Sequence, residues 1–191
     1  WAWGANFAGQ LGDGTTTDKH TPVQVSGLND VTAVSAGLYH SLALRSDGTV
    51  WAWGANYYGQ LGQGTRQDSD SPLQIAGLSG VTAVAAGVLH SLALKSDGTV
   101  WAWGYNYRGQ LGDGTTVDRT TPVGVSGGQT WATLVAGYYS ANGHLYRFAA
   151  AELTETSQRE KAVSLVMAGG LIGAVIGPNL ASHTRTWLAM P

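Results

Sequence analysis

The sequence predicts an all-β fold of repeated four-stranded units, followed by a helical hydrophobic C-terminal segment. Three observations carry that expectation. The 191-residue chain repeats itself with a period of fifty. Twenty-eight glycines are about twice the ordinary share of roughly 7%, and charged residues make up 12% against about 25% ordinarily, a balance that disfavours helical bundles and favours short strands and tight turns. After Gly137 the repeat stops and a stretch of different character follows.

The repeat is exact over long runs. Trp1-Ala2-Trp3-Gly4 returns at 51–54 and 101–104, and Asn6 with Gly9-Gln10-Leu11-Gly12 and Gly14-Thr15 returns at 56–65 and 106–115. Pro22, Pro72 and Pro122 are in register, as are His40-Ser41-Leu42-Ala43-Leu44 and 90–94. Within one unit, Leu42-Ala43-Leu44 leads through Ser46-Asp47-Gly48-Thr49 to Val50-Trp51-Ala52-Trp53, and Asp-Gly between apolar runs signals a β-hairpin. Trp51 and Trp53 are two apart and share a strand face, which predicts that all six repeated tryptophans are core. Val23–Val25 and Val31–Ala36 are two further strands. Four strands in about fifty residues is the size of one propeller blade.

The pattern Trp-x-Trp-Gly-x-Asn-x-x-Gly-Gln-Leu-Gly-x-Gly, then Pro, then Ala-Gly-x-x-His-Ser-Leu-Ala-Leu-x-x-Asp-Gly resembles the regulator-of-chromosome-condensation repeat over residues 1–137. The resemblance implies a seven-bladed β-propeller in which each blade joins the end of one repeat to the start of the next. Fewer than three full repeats are present, so the expected fold is a partial, open β-propeller of about three blades, with units starting at 1, 51 and 101. The first residue is Trp1 rather than Met, and the chain is expected to begin inside a longer protein.

In the expected second unit, 138–191, Ser140-Ala141 replaces His-Ser and Arg147-Phe148-Ala149-Ala150 replaces Asp-Gly-Thr-Val. Ser157 with Glu160 forms a capping box, and Ala162–Ile176 is apolar or small apart from Ser164 before Pro178. A helix over 158–177 would be about 30 Å long, near the thickness of a bilayer core, with Gly169, Gly173 and Gly177 on one face. This stretch, from Leu134-Val135-Ala136-Gly137 through Tyr146-Arg147-Phe148 and Lys161–Gly170 to Gly177-Pro178-Asn179-Leu180, resembles major facilitator superfamily transporters. The resemblance implies membrane association through 158–177 and a fusion or join near residue 137. The corresponding expectation for location is a membrane or the cell surface rather than the nucleus.

No cysteine is present, which excludes disulfides, thiolate chemistry and cysteine-ligated metals. The net charge of −2 carries no basic footprint, so no nucleic-acid partner is expected. The glycine-rich loops lack the Lys-Ser/Thr of a phosphate loop, and the serines lack a nucleophile elbow. The expectation is therefore no catalytic residue, no metal and no cofactor. His40 and His90 read as structural hydrogen-bonding groups because they recur in register. Asp13, Asp18, Asp113 and Asp118 read as solvated turn residues, since Gln63 stands where Asp13 and Asp113 do. Arg147 and Glu152 read as loop-end groups.

The informative positions are those that vary inside matching repeats. Phe7-Ala8, Tyr57-Tyr58 and Tyr107-Arg108 fill the two free sites of Asn-x-x-Gly-Gln-Leu-Gly. Aromatics and arginine on loops are enriched at binding hot spots. Phe7, Tyr57, Tyr58, Tyr107 and Arg108 are thus the candidate partner-binding residues, and a non-enzymatic protein–protein interaction module is the expected function. A transporter fragment fused to repeats, and a guanine-nucleotide exchange-type regulator as implied by the repeat resemblance, are the alternatives.

Overall fold

Fourteen antiparallel strands are present among the residues that the computed structural model describes, which are 1–128, 130–135, 149–152, 163–168 and 171–176. The first two are β1 (Ala2–Gly4) and β2 (Lys19–Val23), which pair alone. A four-stranded sheet follows, from β3 (Val31–Ala36) through β4 (His40–Arg45) and β5 (Val50–Gly54) to β6 (Ser69–Gln74). Its copy runs from β7 (Val81–Ala86) through β8 (His90–Lys95) and β9 (Val100–Gly104) to β10 (Arg119–Gly124). Each sheet therefore starts late in one sequence repeat and ends early in the next, as the repeat resemblance implies. Two further pairs join β11 (Trp131–Val135) to β12 (Ala149–Glu152) and β13 (Val163–Ala168) to β14 (Leu171–Ile176).

The central hairpins form where the sequence places them. Asp47 Oδ1 accepts hydrogen bonds from the Thr49 amide and hydroxyl at 3.0 and 2.6 Å, closing the β4–β5 turn, and Asp97 does the same for Thr99 at 2.9 and 2.6 Å. These bonds hold both carboxyls below the usual carboxylate range. Outer strands β2, β6 and β10 carry Pro22, Pro72 and Pro122. Proline cannot donate to a further strand, so it suits an edge.

The sheets pack face to face through one apolar cluster that takes Leu42, Leu44, Val50 and Ala52 from the first and Val81, Ala86, Ala93 and Trp103 from the second. Trp131 and Leu134 of β11 pack in turn on the second sheet's cluster around Leu92 and Ala102. The β11–β12 register repeats that of β7–β8, with the same irregularity after the first pair: Trp131 faces Glu152 and Thr133 faces Ala151, as Val81 faces Lys95 and Ala83 faces Leu94.

Three expectations are corrected. The six tryptophans are not equivalent. Trp53 and Trp103 are buried, Trp51 and Trp101 are half-buried, and Trp1 and Trp3 are 77% and 64% exposed. Burial depends on the loop of the preceding repeat: the indole N–H groups of Trp53 and Trp103 donate to the carbonyls of Gln10 and Gln60 at 2.9 and 2.8 Å. Trp51 and Trp101 instead lie beneath Arg45 and Lys95, 5.9 and 5.7 Å from the ring centroids.

The second correction concerns the helix expected over 158–177. The described residues of that stretch form the β13–β14 hairpin, with Val163 opposite Ile176 and Ala168 opposite Leu171. The chemistry favours this outcome. Val163, Val166, Ile172, Val175 and Ile176 are β-branched, and each glycine inside a helix costs about 1 kcal/mol relative to alanine. Gly169-Gly170 between two apolar runs is instead a hairpin signal. Among the described residues no helix is long and apolar enough to cross a membrane. Apart from β12, the remainder of 138–191, with Arg147, lies outside the described residues.

The third correction concerns the loop carboxylates. Asp13 and Asp113 are turn residues, accepting from the Thr15 and Thr115 amides at 3.0 and 2.9 Å, but they are not solvated: their side chains are 8% and 5% exposed and ion-paired to Lys19 at 3.2 Å and Arg119 at 2.6 Å.

Candidate protein-binding face

Strand register places the variable loops together. His40 pairs with Gly54, which also pairs with Ser69, so the β3–β4 turn and the loop 55–68 lie at the same end of the first sheet. His90, Gly104 and Arg119 repeat the arrangement in the second. The two ends adjoin, with the Leu38 amide donating to the Val88 carbonyl at 3.2 Å.

Each loop is wound around a fully buried asparagine. Asn56 Oδ1 accepts from the Leu61 amide at 2.9 Å, and its Nδ2 donates to the carbonyls of Thr65 and Gln67 at 3.1 and 2.9 Å. The Asn56 amide donates to Asp68 Oδ1 at 2.7 Å, and Gln60 Oε1 accepts from the Tyr58 amide at 2.9 Å. Asn6 and Asn106 form the same frame with Asp18 and Asp118. In that frame the side chains at the two free positions take no part, so they are available to vary.

Those side chains form a ledge. Tyr58 is half-buried, edge-on to Tyr105 with ring centroids 4.7 Å apart and planes at 62°. Tyr105 lies near-parallel to Tyr107, at 6.4 Å and 21°. The Arg108 guanidinium sits 5.1 Å over the Tyr107 ring. Arg66 ties the second loop to the third, donating to the Tyr57 carbonyl at 3.1 Å and pairing with Asp118 at 3.4 Å. Phe7 stands apart from this group, edge-on to Tyr39 at 5.0 Å. Phe7, Tyr57 and Tyr107 are 58, 57 and 63% exposed.

Of the five candidate residues, then, Tyr58, Tyr107 and Arg108 are joined, Tyr57 is linked through its backbone, and Phe7 is separate. Tyr105 and Tyr39 were missed by the sequence reading. The signal was there, because Tyr105 replaces Ala5 and Ala55, and Tyr39 replaces Leu89 at the matching position.

His40 and His90 begin their strands at this end and are buried, and His40 reaches the second sheet. Burial pushes His40 down to about 4; His90 falls to about 3 through burial and then the charge of His40. Among the described residues, no group of three His, Asp or Glu side chains is arranged to hold a metal ion. A cavity of about 440 Å³ lies away from the ledge, between β1 and the first sheet, lined by Trp1, Val31, Val34 and Trp53.

Comparison with known proteins agrees with this architecture. The sequence model of the regulator of chromosome condensation (RCC1) repeat matches residues 1–44, 47–94 and 97–141. Among solved structures, human WBSCR16 is 27% identical with a TM-score of 0.64, covering 92% of this chain and 43% of its own. Yeast RCC1 (Prp20), seen bound to Kap60, is 20% identical with a TM-score of 0.63, covering 98% of this chain and 52% of its own. The chain therefore spans about half the length of these structures. The RCC2 homolog of Danio rerio is 42% identical over 52 residues, which are 26% of this chain and 10% of that protein. The riboflavin transporter RfnT of Brucella anthropi is 43% identical over 53 residues, 28% of this chain and 13% of the transporter, a share too small to carry a transport function to this chain. With three repeats matched over most of its length and the fold of its relatives, the chain belongs to the regulator of chromosome condensation (RCC1) repeat family.

Proposed function

We propose that this chain is a non-enzymatic protein-interaction module whose partner docks on the loop end formed by Tyr58, Tyr105, Tyr107 and Arg108. The observation that carries the reading is the continuity of that ledge. Two loops with the same backbone frame contribute Tyr58 from one and Tyr107 and Arg108 from the other, and Tyr105 bridges them. Tyrosine and arginine present large contact areas with few rotatable bonds and dominate binding hot spots. The net charge of −2 favours a protein over a nucleic acid as partner. Binding is also what the yeast relatives are described for: Prp20 with Kap60, and Prp20p of Saccharomyces cerevisiae with Gsp1p and histones. Residues 1–137 would be the module, with β12 pairing onto its last strand β11.

The test compares the full chain with a variant carrying Tyr107→Ala and Arg108→Ala, both at exposed positions. Each is panned against a displayed library of folded protein domains, with tryptophan fluorescence as the check on folding. Binders retained by the parent and lost by the variant support the reading. Binders held equally by both place recognition elsewhere and overturn it.

A further inference from the structure

We infer that the ledge takes a short peptide segment in which an aspartate or glutamate is flanked by apolar residues, with the carboxylate on Arg108 and the apolar side chains on the tyrosine rings. This rests on the reading of the loop end as the binding face. Three other cations of these loops are already engaged: Lys19 holds Asp13 at 3.2 Å, Arg66 holds Asp118 at 3.4 Å, and Arg119 holds Asp113 at 2.6 Å. Arg108 differs. Its backbone amide is fixed to Gln110 Oε1 at 2.9 Å, its guanidinium lies over Tyr107, and among the described residues no carboxylate meets it. A ring face positions a guanidinium without using its N–H donors, which leaves the planar fork oriented for a carboxylate. Because the stack already restricts the side chain, less entropy is lost when a ligand binds.

The neighbouring surface sets the rest of the ligand. Tyr58, Tyr105 and Tyr107 offer contiguous ring area beside the cation, suited to aliphatic or proline side chains next to the acid. A phosphate backbone fits less well. One unpaired cation is too few to neutralise it, and the carboxylates of Asp68 and Asp118 belong to the same loops.

The test pans a displayed library of random twelve-residue peptides on the full chain and on Arg108→Gln and Tyr107→Ala. The expected result is enrichment of sequences with Asp or Glu beside apolar residues. Arg108→Gln should abolish the acidic bias and weaken a selected peptide by about tenfold or more. Tyr107→Ala should weaken the same peptide whatever its charge. Enrichment that depends on Tyr107 but shows no acidic bias overturns the carboxylate inference and leaves the binding face standing. Enrichment indifferent to both substitutions, or none above a blank support, overturns the face and the inference together. Stronger binding of a single-stranded twenty-nucleotide DNA than of the selected peptide also overturns the inference.

Discussion

His40 on β4 and Ser91 on β8 meet across the two four-stranded sheets, imidazole Nε2 3.0 Å from the hydroxyl oxygen. The Ser91 hydroxyl donates its single proton to the Gln60 carbonyl at 2.8 Å, so His40 must donate through Nε2–H. The same Gln60 carbonyl accepts the Trp103 indole N–H at 2.8 Å. Four side-chain and backbone groups from two sheets and one glycine-rich loop thus form one polar chain inside an apolar interface. Gln60 belongs to the loop that carries Tyr58 and accepts from the Tyr58 amide at 2.9 Å, so this chain anchors one end of the tyrosine ledge.

The first prediction is a pH dependence of stability. His40 sits at about 4 when folded and at its ordinary 6.5 when unfolded, and His90 at about 3, with burial the leading cause for both. The unfolded chain therefore binds more protons below pH 6.5. Stability is complete above that value and is lost as pH falls toward 4, by at most about 1.4 kcal/mol per pH unit for each histidine. Asp113 acts in a lower window. Burial raises its pKa, but hydrogen bonds from Thr115 and Arg119 outweigh this and hold it at about 2, so its contribution falls away only below 3.8. Urea unfolding between pH 7.5 and 4.5 should show the decline, and His40→Gln, which keeps a donor for Ser91, should make it shallower while leaving the share of His90. An unchanged curve would contradict the burial of His40.

The second prediction separates two tryptophans that the repeat makes look alike. Trp103→Phe removes the indole donor to Gln60 and leaves a void at a fully buried site, costing about 2–3 kcal/mol. Trp101→Phe loses a long 3.3 Å bond to Thr99 at a half-buried site and should cost under about 1 kcal/mol. Denaturant unfolding of both variants measures the difference, and equal losses would refute the assignment.

The third prediction concerns the loop frame. Asn56→Asp is nearly isosteric, yet it turns the amide that donates to the Thr65 and Gln67 carbonyls into a second acceptor. It should destabilise by about 3 kcal/mol, at least as much as Asn56→Ala. Limited proteolysis within 57–67, compared with cutting elsewhere, would show whether the loss is centred on this loop.

The hairpins and the repeat frame were legible because they are local. Asp47-Gly48 needs only its neighbours to make a turn, and a fifty-residue period announces stacked copies. What joins the copies was not legible. His40 and Ser91 are 51 positions apart, and which tryptophan of each pair is buried depends on a carbonyl 43 positions earlier. Asp13 and Asp113 looked solvated because their cations, Lys19 and Arg119, sit six residues on, at the start of the next strand. The apolar stretch 163–176 satisfied a helical count of length and hydrophobicity, while its β-branched residues and paired glycines pointed to the hairpin. Of the ledge, comparison among repeats gave Tyr58, Tyr107 and Arg108. The same comparison applied at position 105 would have given Tyr105.

The fourth prediction distinguishes backbone strain from steric conflict at two glycines of the same repeat. Gly62 and Gly77 both adopt left-handed conformations, with φ of +71° and +78°. Alanine at either position bears a similar backbone cost, about 1–2 kcal/mol. Their surroundings differ. A methyl group on Gly77 meets nothing within 4 Å, whereas on Gly62 it would lie 3.0 Å from the Trp103 indole nitrogen and 3.3 Å from Ile75 Cγ2. Those atoms belong to the packed interface between the sheets, and Trp103 cannot retreat without giving up its bond to Gln60. Gly62→Ala should therefore cost clearly more than Gly77→Ala, and only Gly62→Ala should shift the emission of Trp103. If the two variants lose equal stability with unchanged fluorescence, the indole has room to move, and the tie between the ledge and the interface is weaker than the geometry requires.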